Sequence, residues 1–190
     1  MVLPDLYLMR HGETRWNAEA RFQGQLDSPL TARGQQQARW QAELIAGVAG
    51  RRLSSPQGRA VETARLVFGP GGFETRADLA EIGMGPFAGQ RQDRLRGDHP
   101  AVFRGQGLDW YDRIPGGEGF AALAGRCRCL LTSLDGPALI VSHGITLRMI
   151  WVLAMGRNVT ELAGAPVDQG RVLIIRRGTS DVRRHPDDRD

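Results

Sequence analysis

The chain contains no lysine; all 25 basic residues among its 190 are arginine. That excludes a lysine Schiff base and a Walker-type phosphate loop, which requires its Lys. Cysteine is scarce, and Cys127 and Cys129 stand two apart in a predicted helix. Such neighbours point in different directions, so neither a disulfide nor a metal pair is expected, and cysteines of this kind are ordinary in a reducing compartment. No apolar run reaches the length of a bilayer. The most apolar stretch, residues 145–155, is too short and contains Arg148, so no membrane association is expected. The N-terminus lacks a basic stretch followed by a long apolar run, so no signal peptide is read and a cytoplasmic location is expected. Aromatics make up 6% and do not interleave with the scattered arginines, which argues against a nucleic-acid partner. The net charge of +4 and sequence pI near 10 reflect either genome composition or an attraction for anionic substrates.

What is present fits a single soluble domain with a substantial core. The expected elements follow from periodicity and punctuation. A buried strand runs from Leu6 to Arg10. A loop with a helical turn near Trp16 follows, then a helix from Thr31, its N-cap, to about Ala46. A strand covers 51–54. Ser55 and Pro56 are positioned to open the next helix, which stops at Gly69-Pro70. A short strand at 73–76 is followed by a polar, glycine-punctuated stretch at 90–112 with short helices expected near 90–95 and 100–104. Helices over 120–134 and 145–153 flank a strand at 138–141. Strands near 172–175 and 181–184 complete the set. The charged tail from His185 to Asp190 reads as frayed.

Two of these strands end alike. Leu6-Tyr7-Leu8-Met9 runs into Arg10-His11-Gly12, and Leu139-Ile140-Val141 runs into Ser142-His143-Gly144. There are four histidines, and two hold equivalent places. A lone histidine after a strand is most often a satisfied structural residue. Two at strand ends would converge on one crevice, because ligands bind outside the carboxyl ends of strands in open α/β sheets. Arginine offers planar donors to phosphate oxygens, and histidine can act as a nucleophile. We therefore read His11 as a nucleophile toward a phosphoryl group.

Other candidates carry two readings each. Asn17 and Gln23 suit either amide donation to phosphate or turn chemistry. Arg59, in the first turn of its helix, has the wrong sign for the helix dipole; it faces an anion or pairs with Glu62. Glu81, between apolar neighbours, is either a proton carrier or a surface carboxylate beside a turn. Trp110 and Tyr111 either line a pocket or anchor a loop. Arg148, in an otherwise apolar helix, needs a partner. His99 and His185 read as loop and tail residues without chemistry.

The chain resembles the histidine phosphatase superfamily, also called phosphoglycerate mutase-like. The resemblance rests on Leu8-Met9-Arg10-His11-Gly12-Glu13-Thr14, Asn17, Gln23-Gly24, Asp27-Ser28-Pro29-Leu30-Thr31, Ser54-Ser55-Pro56 with Arg59-Ala60-Val61-Glu62-Thr63-Ala64, Leu79-Ala80-Glu81-Ile82, Pro115-Gly116-Gly117-Glu118 and Ser142-His143-Gly144, in the family's order. It implies one three-layer α/β/α domain over residues 1–190 with a mostly parallel central sheet. Residues 83–119 become a small cap insertion that decides specificity. It implies catalytic His11, Glu81, His143, Arg10 and Arg59, with Arg10, Asn17, Gln23, Gly24, Arg59, His143 and Gly144 around the substrate. No metal and no cofactor are implied; the partner is a small phosphorylated substrate, and homo-oligomer formation stays open. Neutral His11 would attack phosphorus, Glu81 would protonate the leaving group, and His143 would serve best protonated. The sequence departs from the family at Gly85-Pro86-Phe87-Ala88-Gly89 and at Gly119, where a serine cap is usual.

Hydrolysis is favoured over mutase activity. The mutases of this family carry paired arginines before Pro-Gly-Gly-Glu, whereas residues 107–113 here contain only Arg113. A non-catalytic phospho-ligand binder would be expected to have lost one of His11, Arg10 or Glu81.

Overall fold

Along the first strand, β1 (Leu6–Arg10), Leu6 and Leu8 face one apolar core while Tyr7 and Met9 face another. A strand alternates its side chains, so apolar residues at every position require cover on both faces. The computed structural model describes residues 3–105 and 107–188 and shows that cover. Helices α2 (Ala32–Leu44) and α3 (Gly58–Phe68) lie over the Tyr7–Met9 face. Helices α5 (Gly119–Thr132) and α6 (Gly144–Ala154) lie over the Leu6–Leu8 face. The result is the expected three-layer α/β domain.

The remaining strands are β2 (Arg51–Ser54), β3 (Glu74–Thr75), β4 (Ala138–Ser142), β5 (Val172–Arg176) and β6 (Thr179–Arg183). The six-stranded sheet has the order β3-β2-β4-β1-β5-β6. Pairs β1–β4, β4–β2 and β2–β3 are parallel, and β5 and β6 are antiparallel additions at one edge. The register sets Arg10 opposite Ser142. His11 and His143, one residue further, therefore leave adjacent strands side by side, and the His11 amide donates to the Ser142 carbonyl at 2.9 Å.

Several local expectations are corrected. Helix α3 begins at Gly58 rather than beside Ser55, and its N-cap residue, Gln57, makes no side-chain cap. Asp27, from a distant loop, caps it instead, accepting from the amides of Gly58 at 2.6 Å and Arg59 at 3.2 Å. Ser55 is otherwise engaged, as described below. The serine missing at Gly119 is likewise replaced from elsewhere, since Asp112 accepts from the Phe120 amide. Residues 100–103 form turns, not a helix; the four residues between Pro100 and Gly105 are too few to repay helix nucleation. Arg113 holds this turn through the carbonyls of Val102 and Arg104. The tail is tied down as far as 188. His185 stacks on Trp40 at 5.5 Å and meets Glu43 at 2.8 Å, and Asp188 pairs with Arg171. The rest of that tail, residues 189 and 190, lies outside the described residues.

Between β3 and α5 the chain forms helix α4 (Gln92–Asp98) and a 3-10 turn at Asp109–Arg113. A third apolar cluster of Phe22, Met84, Phe87, Leu95, Trp110 and Ile114 holds this segment against the loop that follows α1 (Arg15–Ala18). Trp110 is thus a loop anchor. Among the described residues, no helix is long and apolar enough to cross a membrane.

Candidate active site

His11 is 2% exposed, and its Nδ1 lies 2.8 Å from the Gly12 carbonyl. That carbonyl can only accept, so the proton sits on Nδ1 and Nε2 keeps its lone pair. Burial pushes the imidazole well below its ordinary range, and the Arg59 and Arg10 cations push it further. The ring is therefore neutral, as the nucleophile reading requires. Gly12 is a glycine for lack of space: a Cβ there would sit 2.1 Å from the Gly34 carbonyl oxygen at the start of α2. The capping Thr31, which accepts from the Gly34 amide at 3.0 Å, brings that helix terminus against the His11 loop.

Arg59 is 2% exposed and held on every side. It donates to the Leu26 carbonyl at 2.7 Å, the Gly24 carbonyl at 2.8 Å and Asp27 at 3.0 Å. Its Nε donates to His11 Nε2 at 3.2 Å. Its carboxylate partner is Asp27, not Glu62, and the guanidinium is locked beside His11. Arg10 differs: its Nε is buried without a hydrogen-bond partner. It lies flat over Gly144, where a Cβ would meet the guanidinium at 3.5 Å. Gly144 thus supports Arg10 from beneath rather than lining the cavity.

His143 is fully buried, with its ring centroid 5.2 Å from that of His11. Its Nε2 lies 2.6 Å from Ser55 Oγ, and its Nδ1 has no partner. Burial lowers its pKa well below the ordinary value, with Arg59, His11 and Arg10 adding to the effect. In the ligand-free site the buried ring, with cationic and imidazole neighbours and no carboxylate contact, is therefore neutral, where a protonated His143 was expected around a bound phosphate. The ring is not among the side chains that line the ligand-free cavity, but its unpartnered Nδ1 and its packing against the His11 ring set it directly beside that cavity.

Glu81 does not sit in apolar surroundings as its neighbours in sequence suggested. Its Oε1 accepts from the amides of Ile82 at 3.0 Å and Thr146 at 3.1 Å and contacts Thr146 Oγ1 at 3.1 Å. Oε2 accepts from the Ile145 amide alone, at 3.2 Å. The carboxylate thus caps the N-terminus of α6, a favourable place for an anion, and Oε2 is the less occupied oxygen.

These groups surround a cavity of about 110 Å³ lined by Arg10, His11, Asn17, Gln23, Gly24, Arg59 and Glu81. Asn17 Oδ1 accepts from the Thr14 amide and from Gln169 Nε2, both at 3.1 Å, which leaves its NH2 group for a ligand. Gln23 is buried with its Oε1 unpartnered. Gly24, at φ 53°, turns its carbonyl to Arg59 and Gln57, so it fixes the arginine. The wall is completed by Arg21, Phe22, Ile82, Met84, Gln92 and Tyr111, of which only Tyr111 was singled out in the sequence. Burial raises the Tyr111 phenol, which stays protonated. Arg148, outside the cavity, donates to the carbonyls of Leu162, Ala163 and Ala165. Among the described residues, no three His, Cys, Asp or Glu side chains gather where they could share a metal ion.

Strand ends that bring a neutral imidazole, two arginines and a carboxylate around one small cavity define a site suited to an oxyanion with a nucleophile at its floor. The sequence pattern of the histidine phosphatase superfamily (branch 1) matches residues 6–184, and the chain belongs to that superfamily. It is 38% identical over 180 residues to the Probable phosphoglycerate mutase GpmB of Salmonella paratyphi C, covering 90% of this chain and 80% of that protein. Among solved structures it resembles the α-ribazole phosphatase from Shigella flexneri, with TM-score 0.80, 29% identity and 94% of each chain covered. It also resembles Bacillus stearothermophilus YhfR, with TM-score 0.79, 31% identity and coverage of 94% of this chain and 95% of that one.

Proposed function

We propose that the protein is a phosphomonoesterase that hydrolyses a small phosphorylated metabolite through a phosphohistidine on His11. The observation that carries the reading is the fixed tautomer of His11. Its Nδ1 proton is committed to Gly12, so Nε2 carries the lone pair, which accepts from Arg59 Nε at 3.2 Å until a phosphoryl oxygen takes that donor. In the first step the Nε2–P bond forms as the ester P–O bond breaks, and Glu81 Oε2 relays to the leaving alkoxide a proton brought in by the phosphomonoester monoanion. Arg10, Arg59, Asn17 and the imidazole N–H of His143 take the equatorial oxygens, where charge accumulates. In the second step the Glu81 carboxylate accepts a proton from water as that water attacks phosphorus. Inorganic phosphate leaves, and neutral His11 is restored. Residues 83–119, held over this side by Phe22 and its aromatic neighbours, act as the cap that selects the leaving group.

Mutase activity, in which the phosphoryl group returns to a sugar acid, is the second reading and is favoured by the name of the Salmonella relative. The position of Arg113 speaks for hydrolysis. It is the sole arginine in residues 107–113, and it is spent on Asp109 and two backbone carbonyls away from the cavity wall. A panel of phosphomonoesters assayed for released phosphate separates the cases. Hydrolysis predicts turnover that His11→Ala lowers by at least about 10³-fold. Retention of label on a phosphoglycerate without phosphate release would establish the mutase. Binding with neither reaction would leave a non-catalytic phospho-ligand protein.

A further inference from the structure

The proton inventory around Ser55 bears on how a buried neutral histidine can hold an anion. Ser55 Oγ owns one proton and meets three groups. His143 Nε2 is 2.6 Å away, Gln57 Oε1 is 3.3 Å away, and the Gln57 amide donates to it at 3.3 Å. The Gln57 side chain is oriented by its other contacts. Its Nε2 donates to the Gly24 carbonyl at 3.0 Å, and its Oε1 accepts from the Glu81 amide at 2.8 Å. That Oε1 is already served and distant from Ser55, whereas His143 Nε2 is close. With the Gln57 amide already donating to Oγ and Gln57 Oε1 lying 3.3 Å off, the His143 nitrogen at 2.6 Å is much the nearer acceptor for the one hydroxyl proton. The hydroxyl proton therefore belongs on the line to His143.

We infer that Ser55 is a positioning residue that fixes His143 as the Nδ1–H tautomer and so aims a neutral N–H donor at the bound phosphoryl group. With Nε2 accepting from Ser55, the ring's proton resides on Nδ1, which has no partner in the protein. Arg10 Nε, over the neighbouring Gly144, is a second buried donor without a partner. An incoming phosphoryl oxygen would satisfy both, and a buried polar group left unpaired calls for such an explanation. Both histidines then work uncharged, His11 presenting a lone pair and His143 a proton. The same Gln57 links Ser55 to the Glu81 backbone, so the donor and the proton carrier share one support.

This rests on the phosphoryl reading only for the ligand; the tautomer can be measured without any substrate. In 15N-histidine-labelled protein, long-range 15N–1H spectra distinguish the two tautomers, and His143→Gln identifies the His143 signals. The expected result is an Nδ1-protonated His143 in the wild type. Ser55→Ala should shift it to Nε2–H or a mixture, leave the His11 signals in place and weaken inorganic phosphate binding about three- to tenfold. Ser55→Thr, which retains the hydroxyl, should restore both. An Nε2–H His143 in the wild type overturns the inference even if Ser55→Ala fails to fold, and so does a tautomer that Ser55→Ala leaves unchanged. Lack of phosphatase activity with the tautomer as expected would sink the hydrolytic reading and leave this one standing.

Discussion

Replacing Asp27 tests how the buried Arg59 is held. Asp27 does two separable things: it caps α3 through two backbone amides, and it carries the charge that meets a guanidinium whose side chain is 1% exposed. The carboxylate itself is 45% exposed, so water screens the pair and the full cost of breaking a buried ion pair does not apply. A lost N-cap costs about 1 kcal/mol, and a charge-assisted hydrogen bond about 1.5 kcal/mol at the low end of its range. Asp27→Ala, which loses both, should destabilise by about 2–3 kcal/mol and lower Tm by roughly 4–12 °C in a chain of this length. Asp27→Asn retains one acceptor oxygen, for the Gly58 amide, and should cost about 1 kcal/mol. In both, Arg59 keeps its carbonyl partners at Gly24 and Leu26 but loses its anchor to the loop, so turnover should fall further than stability does. Urea unfolding and calorimetry measure the first, and phosphate release measures the second. Wild-type stability in both variants would refute this account of Arg59. Equal losses would show that capping contributes nothing.

Further outcomes follow from the same geometry. Both site histidines are neutral when folded, with values below those of the unfolded chain. The unfolded chain therefore takes up protons first as pH falls, and stability drops below about pH 6.5. Between pH 7 and 5.5 the two together should cost about 2.5 kcal/mol, and His143→Gln should roughly halve the loss in chemical denaturation. Gly34→Ala would put a Cβ 2.0 Å from the Glu13 carbonyl oxygen, so it should cost at least about 2 kcal/mol and displace the His11 loop. Glu81→Gln retains an acceptor but cannot cycle a proton; esters with poor leaving groups should slow by about 10²-fold or more, and activated aryl phosphates far less. Activity should persist in excess chelator, since arginines supply the positive charge; loss restored by a divalent ion would contradict that.

Much of the fold could be read because each strand is short, apolar and sharply ended. Leu6–Arg10 and Ala138–Ser142 end in the same His-Gly step, and that repetition marks the two residues the sheet register brings together. Resemblance supplied the roles of Arg59 and Glu81, which composition and spacing left open. The supporting contacts were not readable, because they join residues far apart in the chain. Asp27 caps a helix 31 residues on, and Ser55 reaches His143 across 88. A serine before proline looks like a local cap, and only the packed structure shows its hydroxyl spent elsewhere. The charge state of the ligand-free His143 was not readable for a similar reason: phosphate affinity argues for a cation, but burial beside two arginines lowers the imidazole pKa. The surroundings of Glu81 were not readable from its apolar neighbours in sequence, since the α6 N-terminus that it caps lies 64 residues away.

The central claim is a covalent one, and chemical trapping tests it most directly. Protein mixed with a turning-over phosphomonoester, quenched in denaturant at alkaline pH and digested, should yield a phosphoryl group on Nε2 of His11 and none in His11→Ala. Phosphorus on another side chain, or undiminished turnover in His11→Ala, would contradict the account.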